Sequence, residues 1–179
     1  MELLEAYVEN YITQEIRLEA AVRRLDASRL APRARVKEVG HPKFYFFDTG
    51  VVRALAGRSR EPLERPERGP LLETYVFHEL RAYQDHAGCG GEFSYWGTPS
   101  RAEVDFIWTR GRRAVGIEVK AVARWRSDEA RALADLVASG IVNRAYAVYE
   151  GPSTLRAGSV DVLPVAAFLE RLSAGEIIG

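Results

Sequence analysis

Glu103-Val104-Asp105-Phe106-Ile107-Trp108-Thr109-Arg110-Gly111-Arg112-Arg113-Ala114-Val115-Gly116-Ile117-Glu118-Val119-Lys120 reads as two strands about a glycine turn. Side chains alternate between the faces of a strand. Val104, Phe106 and Trp108 therefore make one apolar face of the first strand, with Asp105 on the other. In the second strand Val115, Ile117 and Val119 share the core face, and Glu118 and Lys120 share the opposite one, about 7 Å apart. A two-residue loop at Gly111-Arg112, with glycine first, suits a type II′ turn. That register sets Asp105 directly across from Glu118, with Cα atoms about 4.5–5.5 Å apart. Opposed like charges repel, so a bound cation, a proton or basic neighbours must offset them. A divalent metal beside Lys120 is the sharpest of these readings.

A third carboxylate comes from upstream. Gly69-Pro70 marks a helix start, and the helix runs to about His86. At helical spacing Leu72, Val76, Phe77, Leu80 and Tyr83 form an apolar arc, and Glu73 lies inside it, facing the sheet. An ionised group there is costly unless paired or metal-linked. Glu79 falls only at the edge of the arc. Each residue also has a plain reading: Glu118 with Lys120 as a surface ion pair, Asp105 as a strand-start residue, Glu73 as a first-turn acid favoured by the helix dipole. Their convergence from three elements is what favours a site.

Around this centre the pattern predicts strands over residues 92–96, 104–109, 114–121 and 144–149, and a helix over 127–139. A short strand over 160–163 and a helix over 164–172 follow. The expected core is α-β-β-β-α-β, an α/β (α+β) fold with a mixed sheet flanked by helices. Residues 3–25 carry a helical stripe of Leu4, Tyr7, Val8, Tyr11, Ile12 and Ile16, extended by Ala21, Val22 and Leu25. The stripe must pack on the body or on another chain, which leaves a homodimer through this helix open. Phe44-Tyr45-Phe46-Phe47 precedes Asp48 or Thr49 as the cap of a short helix, and residues 57–69 read as a charged loop or linker. The domain expectation is an N-terminal helical segment over 1–40, an aromatic segment, short helix and linker over 41–69, and a core over 70–179.

Composition narrows the classes. The 179 residues carry 25 Lys+Arg against 25 Asp+Glu, so a strongly basic nucleic-acid-coating protein is excluded. The hydrophobic share of 47 % supports a packed core. The single cysteine, Cys89, excludes a multi-cysteine metal site and an intrachain disulfide, which points to a cytoplasmic, reducing compartment. Glu2, Glu5 and Glu9 are the wrong charge for a signal peptide, and no apolar run has membrane-span length. His41, His78 and His86 lack metal-ligand spacing. The lysines are only three, Lys37, Lys43 and Lys120, so the place of each is informative.

Glu73…Asp105…Glu118-Val119-Lys120 on this frame resembles the PD-(D/E)XK nuclease superfamily. Pro42-Lys43-Phe44-Tyr45-Phe46-Phe47-Asp48-Thr49-Gly50, Leu72-Glu73-Thr74-Tyr75-Val76-Phe77-His78-Glu79-Leu80 and Tyr95-Trp96 are similar to one subgroup, the C-terminal domain that follows the ATPase module of many prokaryotic AAA+-like proteins. The resemblance implies a restriction-endonuclease-like core that hydrolyses DNA phosphodiesters with Mg²⁺ or Mn²⁺. Asp105, Glu118 and the Val119 carbonyl would bind the metal, Glu73 would contact it directly or through water, and Lys120 would orient the attacking water. No G-x-x-x-x-G-K-[ST] signature occurs, so no nucleotide cofactor is expected, and the resemblance leaves an AAA+-type ATPase open as a partner. Arg110, Arg112, Arg113, Arg124 and Arg126 give a local basic excess suited to DNA phosphates. Trp96 and Trp125 offer stacking or core packing. The alternative is a catalytically inactive module that uses the same frame to bind nucleic acid or the ATPase.

Overall fold

The computed structural model describes residues 21–24, 43–98 and 102–178. Eight strands form one mixed sheet in the order β2-β1-β3-β4-β5-β6-β8-β7. They are β1 (Ala21–Arg24), β2 (Lys43–Phe44), β3 (Glu92–Gly97), β4 (Glu103–Arg110), β5 (Arg113–Lys120), β6 (Arg144–Tyr149), β7 (Leu155–Ala157) and β8 (Val160–Pro164). Among the described residues the helices are α1 (Thr49–Leu55), α2 (Arg65–Ala87), α3 (Arg131–Ala138) and α4 (Val165–Ser173), with a 3-10 turn (Ser127–Ala130) leading into α3. The expected α-β-β-β-α-β order is present as α2-β3-β4-β5-α3-β6, and the fold is α+β.

Two apolar clusters sandwich the sheet. On one side Val76, Phe77 and Leu80 of α2 and Phe168 and Leu172 of α4 cover Phe106, Trp108, Val115, Ile117 and Val119. On the other, Leu133 and Leu136 of α3 cover Ile107, Ala114, Ala145, Ala147, Val160 and Val162. Gly116 makes the second contact possible, because a Cβ there would stand 2.9 Å from a Leu133 methyl. Trp108 is fully buried, and its indole N–H donates to the Gly90 carbonyl at 3.3 Å.

The β4–β5 hairpin has the expected register: Phe106 pairs with Ile117 and Arg110 with Arg113. Gly111 takes a φ of 60°, which glycine adopts without strain. Val104 departs from expectation. Along β3, Ser94 pairs with Ile107 and Trp96 with Val104, so β4 uses three steps where β3 uses two. This bulge resets the alternation. Val104 packs with Ile107 in the α3-side cluster, not with Phe106 and Trp108.

Three expected elements change at their ends. Ala21–Arg24, expected to continue a helix, is a strand that pairs parallel with β3 and antiparallel with β2. The open edge of β3 offers main-chain partners that outweigh a short segment's helical periodicity. The rest of the stripe, Leu4 to Ile16 and Leu25, lies outside the described residues, as do residues 1–20 and His41. Helix α2 begins at Arg65, inside the stretch read as a linker, and Pro70 lies within it. The Glu64 amide donates to Glu67 at 3.0 Å, and Pro66 stands in the first turn, so the start is already capped when Pro70 arrives. Arg58 gathers Glu61 and Glu64 at 2.9 and 2.8 Å and closes the preceding loop onto this start. Asp48, not Thr49, caps α1, accepting from the Val51 amide at 2.8 Å. The strand β7 had no counterpart in the sequence pattern; it is three residues long at the sheet's far edge.

Candidate functional site

The bulge in β4 frees Asp105 from the main-chain ladder, whose regular β4–β5 pairs stop at Phe106 and Ile117. Beyond that point side chains substitute for the missing ladder bonds. Asp105 Oδ2 accepts from the Val119 amide at 2.8 Å, and Glu118 Oε2 accepts from the Asp105 amide at 3.3 Å. Both carboxylates are buried, at 6 % and 4 % exposure. The ammonium of Lys120 pairs with Glu118 Oε1. The two acids meet at the open end of the hairpin, Glu118 on the Asp105 amide and Asp105 on the Val119 amide. The ladder pairs themselves stop at Phe106 and Ile117, one step short of Asp105 and Glu118.

Helix α2 brings Glu73 to the same place, on the turn before Val76 and Phe77 enter the core. Its carboxylate accepts from the Tyr45 hydroxyl and from Lys43 Nζ at 3.0 Å. Lys43 also reaches Asp105 Oδ1 at 2.9 Å and Glu103 Oε1 at 2.6 Å. Its Nζ lies 5.5 Å from the centroid of the Tyr95 ring. Tyr45 is held by ring contacts to Phe77 and Phe106, at 4.6 and 5.5 Å between centroids. The His78 ring Nε2 donates to the Phe46 carbonyl and ties the same segment to α2.

The sequence reading placed Glu73, Asp105, Glu118 and Lys120 at one centre, and they meet there. It did not place Lys43, Tyr45 or Glu103 in it. The signal was the scarcity of lysine: two of the three lysines, Lys43 and Lys120, stand at this centre.

The electrostatics follow from burial. Desolvation, aided by the Asp105 charge, pushes the Glu118 carboxyl up to about 8 despite Lys120. Burial and Asp105 also raise Glu73, against the pull of Lys43 and Tyr45. For Lys43, burial alone would lower the pKa, but the charges of Asp105 and Glu73 more than offset it and hold the ammonium above its ordinary range. Lys120 is likewise held up, with Glu118 outweighing burial.

The donor set of carboxylate oxygens suits a hard cation such as Mg²⁺ or Mn²⁺. As arranged here, those oxygens face the two ammonium groups and two backbone amides. No group of three or more acidic, histidine or cysteine side chains stands in metal-holding geometry among the described residues.

The basic residues do not form one patch. Arg110, Arg112 and Arg113 sit at the hairpin tip, the opposite end of β4 and β5 from Asp105 and Lys120. Arg124 and Arg126 follow Lys120 in the chain, past the end of β5, and Arg126 pairs with Asp128 at 2.9 Å. Trp96 and Trp125 both pack against the α3-side cluster, and Trp125 meets Tyr149 edge-on at 6.1 Å. Cys89 is half-buried, its thiol 3.9 Å from the Gln84 carbonyl. No described helix is long and apolar enough to cross a membrane.

No curated protein and no solved structure matches this chain. Residues 68–168, more than half of the 179, match the family described as "Domain of unknown function (DUF4143)". The matched stretch holds the bulged hairpin, Glu73 and Lys120, and the chain belongs to this family.

Proposed function

We propose that this chain is a metal-dependent nuclease-fold domain of the PD-(D/E)XK type, hydrolysing DNA phosphodiesters at the Asp105–Glu118–Lys120 centre. The observation that carries this reading is the bulge that turns a buried Asp105 out of its ladder beside a buried Glu118. Burying two carboxylates side by side is costly, and a cation-dependent reaction gives the arrangement a purpose. Mg²⁺ or Mn²⁺ held by Asp105 and Glu118 would supply Lewis acidity toward a phosphate ester. Lys120, with its side chain 39 % exposed, keeps an ammonium at the edge of the centre, where it can orient a water or stabilise charge on a phosphate oxygen. Arg124 and Arg126, which follow Lys120 in the chain, would serve backbone phosphates. The family match is compatible with a domain that works beside an AAA+-type ATPase, the partner the resemblance leaves open.

The test is cleavage of linear, circular, single-stranded and branched DNA in Mg²⁺ or Mn²⁺. Wild type should cut at least one substrate and Lys120→Ala none. Metal-dependent cleavage that survives Lys120→Ala would refute the assignment. A second reading, a binding module without catalysis, is favoured by one observation: Lys43 already supplies a cation to Glu73, Glu103 and Asp105. It predicts metal-independent binding of DNA or of the ATPase, and no cleavage at enzyme excess.

A further inference from the structure

Lys43 reaches the acidic centre from the two-residue strand β2, whose pairs are with β1 alone. Its ammonium makes three ion pairs, at 3.0 Å to Glu73, 2.6 Å to Glu103 and 2.9 Å to Asp105. One of those three partners, Asp105, would hold a divalent cation under the proposed function, and a second, Glu73, would contact it directly or through water. An ammonium and a metal ion cannot occupy the same carboxylate face together. The side chain nevertheless has a path to solvent. It is 23 % exposed and carried on a four-carbon stem, and the backbone beside it is anchored separately by the buried Tyr45.

We infer that Lys43 is a tethered occupant of the cation position, which a divalent metal enters only by displacing the Lys43 ammonium from Glu73 and Asp105. The inference rests on the proposed cation chemistry and extends it to a further residue, one that sets how tightly metal is held. The competition has a definite sign, since a ligand shifts an equilibrium only by its preference for one state. Removing the ammonium removes the competitor, so metal binding tightens. Replacing it with a guanidinium, which grips carboxylates in a planar fork, weakens metal binding.

The experiment is Mn²⁺ titration of the full chain by calorimetry and by electron paramagnetic resonance, for wild type, Lys43→Met and Lys43→Arg. Far-UV circular dichroism establishes that each is folded. Lys43→Met should bind Mn²⁺ about tenfold tighter or more, the scale of a typical coupling between two sites. Its melting temperature should rise with Mn²⁺ more than that of wild type. Lys43→Arg should bind Mn²⁺ more weakly than wild type, and it keeps the inference testable if Lys43→Met does not fold. Equal or weaker binding by a folded Lys43→Met, or tighter binding by Lys43→Arg, overturns the competition. Cleavage with unchanged Mn²⁺ affinities would overturn this inference and leave the hydrolytic reading standing. Tighter binding by Lys43→Met without any cleavage would do the reverse. Absence of Mn²⁺ binding in all three overturns both.

Discussion

The two ends of the β4–β5 hairpin are built from the same pair of strands and held together differently. At the tip, main-chain pairs run without interruption from Phe106–Ile117 to Arg110–Arg113, and the side chains there are exposed arginines. At the open end the ladder gives way, and Asp105 and Glu118 take the Val119 and Asp105 amides on their carboxylates. A strand pair needs no side chain to complete its ladder, so an end that uses two buried acids for that purpose has been diverted to another task. The bulge in β4 effects the diversion by freeing Asp105 from its pairing.

The contrast is breakable. Asp105→Ala should have the largest effect, because it strips the buried Val119 amide of its acceptor and leaves Lys43 one anion short. A loss of about 3–5 kcal/mol is expected by urea denaturation. Asp105→Asn, which retains an acceptor, should lose less.

Glu118→Gln sharpens the comparison through pH. In the folded protein Glu118 holds its proton up to about 8, against an ordinary value of 4.5. The stability this gives is complete below 4.5 and is lost as pH rises through 8. A neutral glutamine avoids the loss, so the variant should melt about 5 °C or more above wild type near pH 9, with the advantage gone near pH 4. A constant difference across that range would show that the carboxyl does not titrate in the fold.

Gly116→Ala tests the middle of β5, where a Cβ would stand 2.9 Å from Leu133 Cδ2. The cost should be about 1–2 kcal/mol, since a leucine methyl can move. At the tip, Arg112→Ala should change stability by less than about 0.5 kcal/mol. A large effect there would mean that the two ends are not as different as their bonding suggests.

What the sequence disclosed follows the range of each interaction. The hairpin register was legible because one glycine and a two-residue turn fix every pair beyond it. Glu73 was legible because a helix repeats every 3.6 residues or so and marks which side chains face inward. The β4 bulge was not, because Val104 obeys the alternation in sequence and departs from it only through pairing with β3. The role of Lys43 was hidden for a similar reason: it lies 30 residues from Glu73 and 62 from Asp105, and no local periodicity spans such gaps. The strand at Ala21–Arg24 takes its identity from the neighbouring β2 and β3 and not from its own pattern.

The bond from the Val119 amide to Asp105 Oδ2 has a spectroscopic consequence. Most strand amide protons report on a neighbouring carbonyl and are indifferent to what binds nearby. This one reports on the ionisation and occupancy of a side chain at the heart of the centre. In a ¹⁵N-labelled sample its resonance should shift when a diamagnetic cation such as Mg²⁺ draws charge from that oxygen, and its exchange with solvent should quicken if Asp105 turns away. The backbone therefore carries its own observer of the acidic centre, readable without a substrate.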